Sequence, residues 1–133
     1  MFATTRKADS LIQAITDHEG WYPPCADNGY VGSRSYRHHN QGNLRASPFA
    51  YAVVDNFAVF RSDHVGYMAL HWDLLQKAKG NTVTGLTGDS TVRQLLFIWA
   101  PPSDNNDSEA YVRSVYKKTG FTDKTTLKEV FDL

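Results

Sequence analysis

In Lys7-Ala-Asp-Ser-Leu-Ile-Gln-Ala-Ile-Thr-Asp-His-Glu-Gly-Trp21, apolar side chains at Ala8, Leu11, Ile12 and Ile15 recur at helical spacing. That period predicts an amphipathic helix from about Lys7 to Glu19, stopped by Gly20. Glu19 follows Ile15 by four residues and therefore shares the apolar face. A carboxylate in that position is costly, because burying its charge without partners works against folding. The residue is for that reason a candidate for function rather than for stability.

Working outward, residues Gly20 to Asn43 are rich in Gly, Pro, Asn, Ser and Tyr and hold no sustained period, which predicts a long ordered loop. Phe49–Val54 and Phe57–Phe60 are short aromatic and β-branched runs separated by Asp55-Asn56, the pattern of a hairpin. A second helix, capped by Ser62 or Asp63, should run to about Lys79 with Val65, Met68, Ala69, Trp72 and Leu75 as its buried stripe. Ser90 should cap a third through Leu95, Ile98 and Trp99, ended by Pro101-Pro102. Ser103 to Asn106 offers caps for a fourth that carries Tyr111, Val115 and Tyr116 to Gly120. A short helix over about Thr125–Phe131 closes the chain. The fold class expected is α+β, mostly α, with residues 1–133 as one domain and a small hairpin inserted after the first helix.

Bulk properties narrow the function. Lys+Arg and Asp+Glu both number 14, with no like-charge block of the kind that tracks nucleic-acid phosphates, so no nucleic-acid partner is expected. Cys25 is the only cysteine, which excludes an internal disulfide. No stretch is apolar for long enough to span a membrane, and Met1 to Asp9 lacks the apolar core of a signal peptide. No His-x-x-x-His or Cys-x-x-Cys pair occurs, and His64 and His71 lie seven apart, too far on a helix for one ion, so neither metal nor cofactor is expected.

Among the three glutamates, Glu19, Glu109 and Glu129, only Glu19 joins an apolar helix face to a glycine and an aromatic loop. Desolvation against Trp21 or Tyr22 would raise its pKa and keep it protonated near neutrality, as a general acid for glycoside cleavage must be. Glycosidases commonly use a second carboxylate roughly 5 to 9.5 Å away. The sequence offers Asp27 and Asp55, both also ordinary turn residues. Trp21 is a candidate to stack on a sugar, whereas Trp72 and Trp99 read as core.

Ala14-Ile-Thr-Asp-His-Glu-Gly-Trp21, followed by Ser33-Arg-Ser-Tyr-Arg-His-His-Asn-Gln-Gly-Asn-Leu-Arg45, resembles the small lysozyme-like muramidases and lytic transglycosylases of phages and prophages. In that family a helix ending in Glu-Gly-Trp precedes a loop of the form Arg-Asn-x-Asn-Pro-Gly-Asn-Leu. Here Gln41 stands where the proline is usual and His38 where the first asparagine is. The similarity continues through Phe57-Ala-Val-Phe-Arg-Ser62 with Gly66, Trp99-Ala-Pro-Pro-Ser103 and Tyr111.

The resemblance implies a lysozyme-like fold, Glu19 as catalytic acid, and a substrate groove bordered by Asn40, Gln41 and Asn43 with the hairpin as its other wall. It also implies a tyrosine, Tyr111, beside the glutamate, as in lytic transglycosylases. The substrate would be the glycan strands of bacterial peptidoglycan, cut by transglycosylation if no second carboxylate assists, or by hydrolysis if Asp27 or Asp55 positions a water. A glycan-binding or phage structural module without turnover is the other expectation for this fold. Delivery to the wall would fall to a phage particle or another targeting partner, from a protein carried on the virion or made in the cytoplasm.

Overall fold

The computed structural model describes residues 4–133; the first three residues of the Met1–Asp9 stretch lie outside the described residues. Helix α1 (Arg6–His18) starts where the Thr5 hydroxyl accepts from the Ala8 amide, and Glu19 is its C-cap. Ala8, Leu11, Ile12, Ala14 and Ile15 are all buried along one side. Each large aliphatic there contributes about 1.5 to 3 kcal/mol of transfer free energy. This face packs chiefly against α5 (Ser108–Thr119), and also against α6 (Leu127–Phe131) and α3 (Asp63–Ala78). With α4 (Val92–Trp99) these helices enclose the main core.

The long loop is not wholly irregular. Ser33 caps a single helical turn, α2 (Arg34–Arg37), which the lone apolar spacing of that segment did not reveal. The hairpin forms as expected but shorter, with β1 (Ala52–Val54) antiparallel to β2 (Phe57–Val59) in the register Ala52 to Val59 and Val54 to Phe57. Asp55 and Asn56 both take the left-handed backbone that a two-residue hairpin turn requires. β2 is the inner strand: the Ala58 amide donates to the Leu44 carbonyl and the Phe60 amide to that of His38. The result is a mostly helical α+β fold with one two-stranded sheet between α2 and α3. Beneath the sheet lies a second, smaller cluster of Leu44, Ala58, Phe60 and Ala69. Trp99 packs against both clusters.

Several details depart from expectation. In α3 the buried side carries Gly66, Ala69, Leu70, His71, Leu74 and Ala78, so of the expected stripe only Ala69 is buried. Trp72 is exposed and meets the edge of Phe49 at 5.6 Å. The helix is apolar on most sides, so two faces compete in the sequence; the small Gly66 and Ala69 win because loop 38–44 must approach closely. A Cβ on Gly66 would sit 1.7 Å from the His39 carbonyl oxygen. The cap of α4 is Thr91, in a reciprocal capping box with Gln94, rather than Ser90, and Ile98 on that helix is exposed. Ser103 to Asn106 do not cap α5. A 3-10 turn occupies Pro102–Asp104, and Asp107 caps the helix by accepting from the Ala110 amide.

Candidate active site

Ending α1 at Glu19 aims its side chain toward α5, where the Tyr111 hydroxyl donates to Oε2 at 3.1 Å. Tyr111 is 2% exposed. The His18 ring lies against the Tyr111 ring, centroids 3.8 Å apart, and Lys118 of α5 pairs with Asp17 of α1 at 3.2 Å. These contacts fix the end of α1 along α5, from Tyr111 near its start to Lys118 in its last turn, and leave the carboxyl little freedom. Trp99 is within hydrogen-bonding reach of the Tyr111 hydroxyl, so the phenol is held from two directions.

Electrostatics follow from this enclosure. Burial raises the Glu19 pKa above the usual glutamate value, and the hydrogen bonds from Tyr111 and Asn43 pull it part of the way back. Burial, then the Glu19 charge, pushes the Tyr111 phenol far up, so it acts as a neutral donor. The His18 pKa is lowered, first by burial and then by Lys118.

The carboxyl opens into a groove of about 570 Å³. Asn43, Arg45 and Phe57 line it from the loop and hairpin, while Trp99, Ala100, Ser103 and residues 104–106 line it from the α4–α5 connection. A smaller recess around Glu19, Gly42, Asn43, Leu44 and Trp99 adjoins it. The lining is mostly polar, with Phe57 and Trp99 as flat surfaces of the kind on which sugar rings stack.

Loop 38–44 is shaped from within. The Asn40 amide nitrogen donates to the carbonyls of Leu44 and Ala58 at 2.9 and 3.0 Å, and its oxygen accepts from the Leu44 amide. With Asn40 1% exposed, its polar atoms are committed to holding the loop against β2 rather than to a ligand. Gln41 is likewise buried and donates to the Asp63 carbonyl at the start of α3. Gly42 lies so close to Leu70 that a Cβ there would fall 2.7 Å from its Cδ1. Asn43 takes a left-handed backbone (φ 53°), and this turns its side chain to the groove and to Glu19.

Of the residues singled out from sequence, Glu19, Asn43 and Tyr111 therefore come together. Trp21 is half-buried against Tyr36 with ring centroids 5.1 Å apart, and does not line the groove. Asp27 and Asp55 are exposed turn residues that do not line it either. The aspartate that does is Asp104, which the sequence offered only among the cap candidates Ser103 to Asn106. Arg45 and Phe57 also went unassigned, although both stand in segments that carry the resemblance. Among the described residues no cluster of His, Cys, Asp or Glu is arranged to hold a metal ion, and no helix is long and apolar enough to cross a membrane. Compared with known protein families, curated proteins and solved structures, the chain matches none.

Proposed function

We propose that this chain is a lysozyme-like enzyme that cleaves the glycan strands of bacterial peptidoglycan, acting as a lytic transglycosylase with Glu19 as acid and then base. The observation that carries the reading is the half-buried Glu19 carboxyl, raised in pKa, hydrogen-bonded by Tyr111 and opening into a polar groove with aromatic surfaces. Protonated Glu19 gives its proton to the glycosidic oxygen as the bond to the muramyl C1 breaks. The substrate's own N-acetyl group stabilises the developing positive charge. The muramyl C6 hydroxyl then closes on C1 and returns its proton to the Glu19 carboxylate, which leaves a 1,6-anhydro end and consumes no water. Tyr111 supports the second half by donating to the carboxylate while it waits for that proton.

Asp104 favours a second reading. Because it lines the same groove, it is the carboxylate best placed to orient a water, and the chemistry would then be hydrolysis with Asp104 in place of Asp27 or Asp55. Mass spectrometry of muropeptides released from purified sacculi separates the two. Anhydro ends from wild type and none from Glu19→Gln support transglycosylation, and reducing ends support the hydrolase. A folded wild-type protein that binds sacculi and releases nothing refutes both and makes the chain a glycan-binding module.

A further inference from the structure

The balanced charge of the chain conceals an uneven distribution. Residues 20–62, which build the loop and hairpin, hold four arginines, Arg34, Arg37, Arg45 and Arg61, against two aspartates. Among the described residues none of these arginines is in an ion pair, whereas four of the ten Lys and Arg outside this stretch, Lys77, Arg93, Lys118 and Lys128, are. Two of the four converge on one ring. The Arg34 guanidinium carbon lies 3.5 Å from the Phe57 centroid and that of Arg45 lies 4.9 Å from it. Arg34 also buries its Nε with no hydrogen-bond partner. Stacking orders a guanidinium and shields its face while leaving the N–H edge free to form a fork on a carboxylate.

Phe57 and Arg45 line the groove that holds Glu19, and Arg45 is the only cation among its lining residues. The other ionisable groups facing it are the carboxyls of Glu19 and Asp104. An anionic substituent on a bound ligand is therefore drawn to Arg45 and repelled by Asp104. A strand of alternating N-acetyl sugars has no ionised group where its lactyl carboxyl is amide-linked; the negative charges of the polymer sit on the peptides attached there.

We propose that Arg45, seated with Arg34 on the Phe57 ring, forms a subsite for a carboxylate of the stem peptide, so that the groove takes peptide-bearing strands in preference to strands whose lactyl carboxyls end in a neutral amide. This rests on the glycan-strand reading above and adds to it which strands are bound. Ordering of the guanidinium before binding strengthens the contact, and the exposure of Arg45 limits it.

Calorimetry with the Glu19→Gln protein, which leaves ligands intact, tests the assignment with two soluble tetrasaccharides whose lactyl carboxyls are all amide-linked, in one to the stem peptide and in the other to a neutral methylamide. The peptide-bearing ligand is expected to bind roughly tenfold more tightly. Adding Arg45→Gln should erase that difference, and adding Arg61→Gln, which removes an equal charge from the Tyr51 ring outside the groove, should preserve it. Equal affinity for both ligands before any arginine is changed overturns the subsite alone. So does a difference that survives Arg45→Gln, or one lost equally with Arg61→Gln. Failure of both ligands to bind overturns the glycan reading itself.

Discussion

Replacing Gly66 by alanine sets two opposing effects against each other, and the structure decides which wins. Alanine is the better helix former by about 0.5 to 1 kcal/mol in a helix interior. Gly66, however, faces the His39 carbonyl oxygen, 1.7 Å from where the new Cβ would stand, and the Gln41 Oε1, 2.4 Å away. The backbone oxygen would have to retreat by more than ~1 Å in a close-packed region. It cannot swing freely, because the flanking residues are pinned: Phe60 donates to the His38 carbonyl, Asn40 clamps Leu44 and Ala58, and Gln41 holds Asp63. Overpacking of this kind costs about 3 kcal/mol, so the net loss after helix propensity is about 2 kcal/mol. Since a domain of this size has about 5 to 15 kcal/mol in hand, the variant should fold. Urea unfolding followed by circular dichroism should show the midpoint falling by about 1 M, given a slope of about 2 kcal/mol/M. The same displacement carries Asn43 away from Glu19, and turnover should fall with stability. A midpoint unchanged or higher would mean that helix propensity prevails and that the close approach of loop and helix is wrong.

Two further outcomes follow from the Glu19 environment. Its folded pKa is raised, so the native state binds the proton more tightly than the unfolded chain; the wild type is relatively most stable below the unfolded value of 4.5 and loses ground as pH rises through the folded one. Urea midpoints at pH 4 and pH 8 should therefore show Glu19→Gln gaining on wild type at the higher pH, and an unchanged difference would refute a buried carboxyl. Tyr111→Phe removes the donor that favours the carboxylate, so the alkaline limb of the kcat/KM profile should move up and stability should drop by about 1 kcal/mol. A limb that stays in place would mean that Tyr111 does not touch the acid.

Local rules carried much of the architecture. The apolar spacing from Ala8 to Ile15 set α1 and its buried side, and Asp55-Asn56 marked the hairpin because so few residues accept two successive left-handed positions. Glu19 was readable for a related reason, since a carboxyl on an apolar face demands an explanation. What stayed illegible depends on partners distant in the chain. α3 is apolar nearly all round, and only the loop pressed onto Gly66 selects its inner face. Asn40 was expected at the groove because the resemblance puts its loop there, but its three hydrogen bonds run to Leu44 and to Ala58 of β2. Asp104 sat among cap candidates, and the 3-10 turn that takes it to the groove, opened by Pro102 and ended by the left-handed Asn105, is not a pattern that apolar spacing announces. The place of Arg45 in the groove comes from sharing the Phe57 ring with Arg34, a contact between residues distant in the chain.

The division of the interior into a large helical cluster and a four-residue one under the hairpin bears on how the protein breathes. Local opening costs only what the opened part buries, and the hairpin wall rests on the small cluster of Leu44, Ala58, Phe60 and Ala69 with Phe49, Ala50, Val65 and Trp99 packed around it. Its outer strand exposes Val53 and Val54 and adds little. The wall can thus loosen as a cooperative unit of its own while the helices stay folded, with Trp99 as the one ring on which both parts bear. On the glycan-strand reading proposed above, a cleft bounded on one side by a wall with its own small cluster would admit a long polymer broadside, with no free end to thread, and release it by the same motion.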